Sequence, residues 1–320
     1  MRKGLVILCL VPVLGSCFKK EIPVERPESG AETSQVVIGP DYANQIYYDL
    51  ETNSIIRQNN REVWDLAFEA GDNGFHVLLN EAKIMAAAPS SETDIAAITS
   101  DAGLTYTWDY PTGSWDSIAM KDWQSLGTVY VIDLGLNLEG TSLGKKKLKI
   151  ISVNATEYQI EFADLQSTSI RTATIPKSTT AGFTYFTMSG NGAVVDLEPD
   201  KEVWDLLFTN YCQVFDGHTP YSVVGILSNR YGVKVQEVSI PFANLKHADI
   251  LESNFQDRIN VIGYDWKAYN FDTGVYAISS NRTFVVKTIN GRYFKMRFID
   301  FYDDNGVKGA PKFELQELIP

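Results

Sequence analysis

The chain has 320 residues, more than the roughly 100–200 of one ordinary domain, so its length predicts two domains or one large one. Hydrophobic residues make up 44% and charged residues 21% of the sequence, a composition that excludes wholesale disorder. The net charge of -12, with no basic run longer than Lys145–Lys147, excludes nucleic acid as a partner and electrostatic attachment to anionic lipid.

The first seventeen residues are predicted to be a lipoprotein signal peptide. Arg2 and Lys3 precede an apolar stretch from residue 5 to residue 14, which is too short to cross a bilayer as a helix. The stretch ends in Leu-Gly-Ser-Cys17, which resembles the lipobox of bacterial lipoproteins. This resemblance implies cleavage before Cys17 and lipidation of its thiol. Because residue 18 is Phe18 and not Asp, it also implies the outer membrane, on its periplasmic or cell-surface face.

Residues 18–40 are predicted to be a flexible tether. They contain Pro23, Pro27 and Gly30 with several charges and no hydrophobic periodicity. Such a segment would lift the folded part of the chain away from the lipid.

A repeat organises the rest of the chain. Residues 62–68 (EVWDLAF) recur 140 residues later as 202–208 (EVWDLLF), identical at six of seven positions. Four flanking pairs keep the same order: 47–50 with 185–188, 122–123 with 265–266, 129–132 with 275–278, and 147–150 with 294–297. A period of this size predicts duplication of a whole domain. We therefore expect two related lobes, at 41–175 and 176–320.

The predicted fold class is all-β and antiparallel. Residues 158–162 and 293–298 alternate between apolar and polar side chains, as half-buried strands do. Glycine-containing turns at 72–74, 190–192, 290–291 and 304–306 predict tight hairpins between strands. No segment has the pattern of a long amphipathic helix.

The aspartates of the repeated motif, Asp65 and Asp205, are predicted to be half-buried. A buried carboxylate requires hydrogen-bond donors, so each is expected to accept a bond from a backbone N–H or an indole in its own lobe. Because both copies carry the aspartate, we interpret it as a feature of the fold and not of a site.

Two segments resemble the HmuY family of haem-binding bacterial lipoproteins. They are residues 203–211, which include the repeated motif, and residues 290–298. The likeness extends over 180–320 and, more faintly, over the first lobe. It implies an all-β, lipid-anchored protein that captures haem and passes it to a TonB-dependent receptor in the outer membrane.

The resemblance also implies haem ligands. Founding members hold the iron between two axial His or Met side chains located C-terminal to the Trp-Asp-Leu motif. His218 and His247 both follow that motif and are the candidate ligands here. Met188 and Met296 are fallback ligands, but both fall on strand patterns, where core packing is the expected role. His76 is interpreted as structural.

Other chemistry is poorly supported by the sequence. Cys212 has no partner for a disulfide once Cys17 is acylated, and a buried, inert thiol is expected. The acidic turn at 303–306 does not fit a calcium loop, and no metal site other than haem iron is predicted. No hydrolase or nucleotide-binding motif occurs, so no enzyme activity is predicted. A surface module for glycan or a protein partner remains the alternative to haem capture.

Overall fold

A computed structural model of the protein describes residues 30–320. The predicted signal peptide, the predicted lipidation site Cys17 and the first part of the predicted tether lie outside these residues. The described chain is almost entirely β, which confirms the predicted fold class at this level.

Residues 30–320 form twenty strands. The first ten are β1 (Glu32–Gln35), β2 (Asn44–Asp49), β3 (Ser54–Asn60), β4 (Leu66–Glu69), β5 (Val77–Leu79), β6 (Ala86–Pro89), β7 (Tyr130–Asp133), β8 (Lys145–Val153), β9 (Glu157–Asp164) and β10 (Arg171–Pro176). The second ten are β11 (Phe183–Thr187), β12 (Ala193–Val195), β13 (Leu206–Phe215), β14 (Thr219–Ser228), β15 (Lys234–Val238), β16 (Lys267–Asn270), β17 (Val275–Ile278), β18 (Thr283–Lys287), β19 (Tyr293–Tyr302) and β20 (Lys308–Leu318).

The helices are short. The α-helix α1 has four residues, and the remaining helices are single 3-10 turns. Their bounds are Trp123–Leu126 for α1 and Glu81–Lys83, Ile95–Ala97, Trp115–Ser117, His247–Asp249 and Glu252–Asn254 for the 3-10 turns. Within residues 30–320, no helix is both long enough and apolar enough to cross a membrane.

The strands form two lobes, each made of a five-stranded and a four-stranded antiparallel sheet. The first lobe contains the sheets β10-β9-β8-β7-β6 and β12-β11-β4-β5. The second lobe contains the sheets β1-β20-β19-β18-β15 and β14-β13-β2-β3. The strands β16 and β17 form a separate hairpin.

Each lobe encloses its own hydrophobic core, and a third cluster joins the two. Leu66, Phe162 and Phe186 belong to the core of the first lobe, whereas Phe208 and Phe313 belong to that of the second. The third cluster contains both tryptophans of the repeated motif, so the motif marks the seam between the lobes. Its rings are paired edge to face, an arrangement worth about 0.5–1.5 kcal/mol per pair beyond area burial.

The lobes are not the consecutive segments 41–175 and 176–320 that the sequence predicted. The hairpin β2–β3 lies in the first of these segments but pairs with β13 of the second lobe. Conversely, β11–β12 lies in the second segment but pairs with β4 of the first lobe. Each lobe therefore takes one hairpin from the other half of the chain, because these hairpins complete the four-stranded sheets.

The predicted tether over 18–40 is wrong for the residues from Glu32 onward. Glu32–Gln35 pair with β20 along their whole length, and Val36 and Ile38 continue this edge with further backbone hydrogen bonds. Val36 and Ile38 are fully buried in the second lobe. Burial of these two side chains stabilises the ordered conformation of a segment whose composition resembles that of a flexible linker.

The predicted strand patterns and turns are confirmed. Residues 158–162 lie in β9 and residues 293–298 in β19, while the four glycine-containing turns connect β4 to β5, β11 to β12, β18 to β19 and β19 to β20. Gly291 and Gly306 have φ angles of 79° and 76°, the left-handed conformation that these hairpins require.

The flanking landmarks of the repeat agree with the structure in part. Residues 147–150 and 294–297 both lie on the third strand of a five-stranded sheet, β8 and β19. By contrast, residues 129–132 include β7, an integral strand of the first lobe, whereas residues 275–278 form β17 of the separate hairpin. The predicted equivalence of this last pair is therefore wrong, and β18 takes the place that corresponds to β7.

Candidate functional site

A cleft of about 720 Å³ lies between the β13–β14 hairpin and the β16–β17 hairpin. This volume is within the range of about 300–1,000 Å³ that small-ligand sites occupy. Residues 41–42, 61 and 138 contribute to it from the first half of the sequence. We call it the aromatic cleft after six rings that line it: Tyr42, Phe215, Tyr221, Tyr264, Tyr269 and Tyr276.

The rings form two groups along the cleft. On the β13–β14 side, Phe215 lies 6.2 Å from Tyr221 and 6.5 Å from Tyr264, measured between ring centroids. On the β16–β17 side, Tyr269 lies 5.1 Å from Tyr276. Tyr221 is 62% exposed, so this wall is accessible from solvent. Aromatic walls of this kind suit a flat, largely apolar ligand.

Two glycines hold one side of the cleft together. A Cβ on Gly225 of β14 would lie 2.5 Å from the carbonyl oxygen of Gly263, so only glycine permits this approach. The backbones of Ile226 and Gly263 exchange two hydrogen bonds, at 3.0 and 3.2 Å. Gly263 itself has a φ of +64°. The pair thereby fixes the segment that carries Tyr264 and Lys267 against β14.

Lys267 is a buried cation in the aromatic cleft. Its Nζ donates to the carbonyl oxygen of Val224 at 2.6 Å and lies 4.4 Å from the ring centroid of Trp266 and 4.7 Å from that of Phe301. Desolvation lowers the pKa of the Lys267 amine to about 7, against an opposing effect of Asp265. A lysine in this setting is poised between its charged and neutral forms near neutral pH.

Arg61 is a second buried cation of the aromatic cleft. It donates to the carbonyl oxygen of Ala82, and its Nε is buried without a hydrogen-bond partner. Among residues 30–320, neither Arg61 nor Lys267 forms an ion pair with a carboxylate. The exposed Asp265, the acid nearest to Lys267 in sequence, is already bound by Arg282 at 2.7 Å. Asp41 and Asp265 also line the cleft, but neither contacts one of these two cations within ion-pair distance.

His218 does not line the aromatic cleft, but it lies in the hairpin that forms one of its walls. It is exposed in the turn between β13 and β14, where Asp216 and Gly217 have φ angles of 52° and 71°. Phe215 and Tyr221, each three residues from His218, both line the cleft. The imidazole is thus carried by the same hairpin that forms one aromatic wall.

His247 lies elsewhere in the second lobe. It begins a 3-10 turn, its ring meets that of Tyr293 edge-on at 4.9 Å, and its Nε2 is buried without a hydrogen-bond partner. Tyr293 is on β19 and is not part of the aromatic cleft. The structure therefore does not bring His218 and His247 together around this cleft.

The other candidate residues lie in the interior. His76 contacts Glu69 at 2.6 Å and stacks on Trp115 at 4.0 Å, which is a structural arrangement. Met188 and Met296 are fully buried in the cores of the first and second lobes, respectively. Neither methionine lines the aromatic cleft.

The lone thiol and the acidic turn also lack a site. Cys212 is buried on β13, and burial raises the pKa of its thiol to about 12. Asp303 accepts hydrogen bonds from the backbone N–H groups of Asn305 and Val307 within its own turn. In the described part of the chain, no group of three or more His, Cys, Asp or Glu residues is arranged to hold a metal ion.

The aspartates of the repeated motif are buried and accept hydrogen bonds from backbone N–H groups, as expected. In each case the donor belongs to the other half of the sequence. Asp65 accepts from the N–H of Met188 at 2.6 Å, and Asp205 accepts from the N–H of Leu50 at 2.9 Å. The donors are not the indoles, and they come from the exchanged hairpins. Asp65 also contacts the ammonium of Lys83 at 2.5 Å.

Sequence analysis missed a second repeated polar residue. The side-chain amide of Asn80 donates to the carbonyl of Trp64 at 2.8 Å, and that of Asn229 donates to the carbonyl of Trp204 at 2.9 Å. Sequence analysis also missed Arg61 and Lys267. The sequence offered a signal only for Lys267, which directly follows the Asp-Trp landmark and lies in a tyrosine-rich segment.

The fold and the site together define an all-β, two-lobed protein with an aromatic, cation-containing cleft. The chain belongs to the HmuY family, because the profile described as HmuY protein matches residues 41–315. This result confirms the family resemblance drawn from the sequence, and the match includes both lobes. Among curated proteins, none matches this chain.

Three solved structures are similar to the chain. Apo PinO from Porphyromonas gingivitis has 12% identity and a TM-score of 0.30, with 91% of this chain and 98% of PinO covered. The apo HmuY analog of Tannerella forsythia has 11% identity and a TM-score of 0.28, with 92% and 99% covered. A Bacteroides vulgatus protein proposed to be a HmuY-like haem-binding protein has 11% identity and a TM-score of 0.25, with 89% and 90% covered.

Proposed function

We propose that this protein is a lipid-anchored haem-binding protein that captures haem in the aromatic cleft and passes it to an outer-membrane receptor. The observation that carries the proposal is the cleft itself, whose six aromatic rings line a volume of about 720 Å³. A porphyrin is a flat, apolar ring system, and stacking against tyrosine and phenylalanine removes its faces from water. Membership of the HmuY family supports the same ligand.

His218 is the axial ligand that we propose for the iron. The β13–β14 turn that carries it is continuous with the wall formed by Phe215 and Tyr221. A neutral imidazole is a common protein ligand of haem iron, and a tyrosine phenolate is another. The tyrosines of the aromatic cleft therefore offer the second ligand, in place of His247.

The proposed location is the outer membrane, on its periplasmic or cell-surface face. It depends on export by the signal sequence and on acylation of Cys17. Several acyl chains on this one cysteine would give a stable membrane anchor. Mass spectrometry of the mature protein tests this part. An N-terminal Cys17 that carries acyl chains is expected, and an unmodified N-terminus would overturn the anchor.

Titration of the purified protein with haem, followed by visible absorbance, tests the binding proposal. Wild type is expected to give a saturable, sharpened Soret band at one haem per chain. His218→Ala is expected to shift that band, whereas His247→Ala, the matched control, is expected to leave it unchanged. Absence of any saturable Soret change would refute haem binding, and an effect of His247→Ala alone would refute the assigned ligand.

A surface module for glycan or a protein partner is the second candidate function. It is favoured by the exposed rings of the two hairpins, since Tyr221 is 62% and Phe271 is 89% exposed. Exposed aromatic rings stack on sugars and anchor protein interfaces. This alternative predicts glycan or partner binding that Tyr221→Ala and Phe271→Ala abolish, without any Soret change on addition of haem.

We also propose that the two lobes arose by internal duplication. The matching sheet orders, the paired edge-to-face contacts of Trp64 and Trp204, and the matching roles of Asn80 and Asn229 support this origin. Superposition of the two lobes tests this origin. The strands β11, β4, β8 and β9 are expected to superpose on β2, β13, β19 and β20, and lobes that do not superpose would contradict it.

A further inference from the structure

We infer that Lys267 and Arg61 form an anion subsite of the aromatic cleft, which selects flat aromatic ligands that carry two carboxylates. This inference rests on the proposed function, since it concerns how the same cleft recognises its ligand. It adds an orientation: the carboxylates enter towards the two cations, and the aromatic body lies between the two hairpins.

The first argument is charge compensation. Lys267 and Arg61 are each 8% exposed and, within residues 30–320, neither contacts a carboxylate. A buried cation is costly unless an anion or several dipoles stabilise it. The Nζ of Lys267 donates to the carbonyl oxygen of Val224 at 2.6 Å and to that of Tyr264 at 3.4 Å. Aromatic faces surround the rest of this ammonium group. Asp41 and Asp265 line the same cleft without contacting either cation, so two carboxylates of a ligand would supply the direct ion-pair contacts.

The second argument is a comparison with another buried lysine. Lys295 is 4% exposed and also donates to backbone carbonyl oxygens, those of Phe242 and Leu245, at 2.8 and 3.0 Å. Lys295 does not line the aromatic cleft, whereas Lys267 does. Lys267 thus has the packing of a structural lysine and, in addition, access to the ligand. This difference makes Lys295→Met a matched control for the loss of a buried ammonium group.

The test uses metal-free protoporphyrin IX, its dimethyl ester and haem as probes, with quenching of tryptophan fluorescence as the readout. Protoporphyrin removes iron ligation from the measurement, and the ester removes both carboxylates. Wild type at pH 6.5 is expected to bind the diacid at least tenfold more tightly than the ester. Lys267→Met is expected to reduce this ratio, and Lys295→Met is expected to preserve it.

Lys267→Arg provides the second variant, because arginine keeps a positive charge at this position. It is expected to preserve the preference for the diacid over the ester. Equal binding of diacid and ester by wild type, or a loss of the preference in Lys295→Met as large as in Lys267→Met, would overturn the inference while haem binding stands. Failure of all three probes to bind would instead overturn the proposed function.

Discussion

Asp65 and Asp205 occupy the same position of the repeated motif, but their charges are stabilised differently. Asp65 lies 2.5 Å from the buried ammonium of Lys83. Asp205 accepts a hydrogen bond from the N–H of Leu50, and no cation of residues 30–320 lies within ion-pair distance of it. Replacement of each aspartate by asparagine is therefore expected to have opposite effects on stability.

The size of the effect at Asp205 follows from its pKa. Burial, with smaller contributions from Asp49 and Glu51, raises the pKa of Asp205 from 3.8 to about 7. A raised pKa in the folded state means that this contribution to stability is complete below pH 3.8 and is lost as the pH rises through 7. At about 1.4 kcal/mol per pKa unit, the loss is on the order of 4 kcal/mol. Asp205→Asn is expected to match wild type near pH 4 and to exceed its stability at pH 8.

Asp65→Asn is the matched comparison. It leaves the ammonium of Lys83 buried, only 3% exposed, without its anion. Loss of one partner of a buried ion pair costs about 3–5 kcal/mol, so this variant is expected to be destabilised at pH 7.

The free energy of unfolding in urea at pH 4, 6 and 8, followed by tryptophan fluorescence, measures both effects. If Asp205→Asn were as destabilised at pH 8 as Asp65→Asn, Asp205 would be a stabilised anion and the reasoning would be refuted.

Three further predictions concern the cleft, the seam and the thiol. Gly225→Ala would place a Cβ 2.5 Å from the carbonyl oxygen of Gly263. It is expected to weaken haem binding at least tenfold in the Soret titration. Gly30→Ala serves as the control, because a Cβ at Gly30 would have nothing within 4 Å. Burial raises the pKa of Glu198 from 4.5 to about 8, so its contribution to stability is lost as the pH rises through 8. Glu198→Gln is expected to remove up to about 5 kcal/mol of the decline in unfolding free energy between pH 4.5 and 9, and an unchanged decline would contradict this role. Cys212, whose pKa burial raises to about 12, is expected to react with iodoacetamide at pH 8 only in urea, so rapid labelling of the native protein would contradict its burial.

Local sequence determined the strands, the turns and the family. Alternation at 158–162 and 293–298 reports which face of a strand is buried, and Asn-Gly at 290–291 reports a backbone that needs a positive φ. These are short-range properties, because side-chain direction and backbone conformation are set within a few residues. The repeated Trp-Asp-Leu motif likewise carried the family resemblance, since its residues pack the seam between the lobes.

Only the tertiary structure decided how the halves are combined and where the site lies. The exchange of β2–β3 and β11–β12 depends on pairing between residues more than 100 positions apart, as between Tyr48 and Leu206. No periodicity encodes such a partner. The same holds for the aromatic cleft, where Arg61 and Lys267 lie about 200 positions apart in sequence. His218 and His247 are only 29 positions apart, yet they lie in different parts of the second lobe because β15 and its loops separate them. Proximity in space, and with it the choice of ligand residues, arises from sheet pairing and not from sequence spacing.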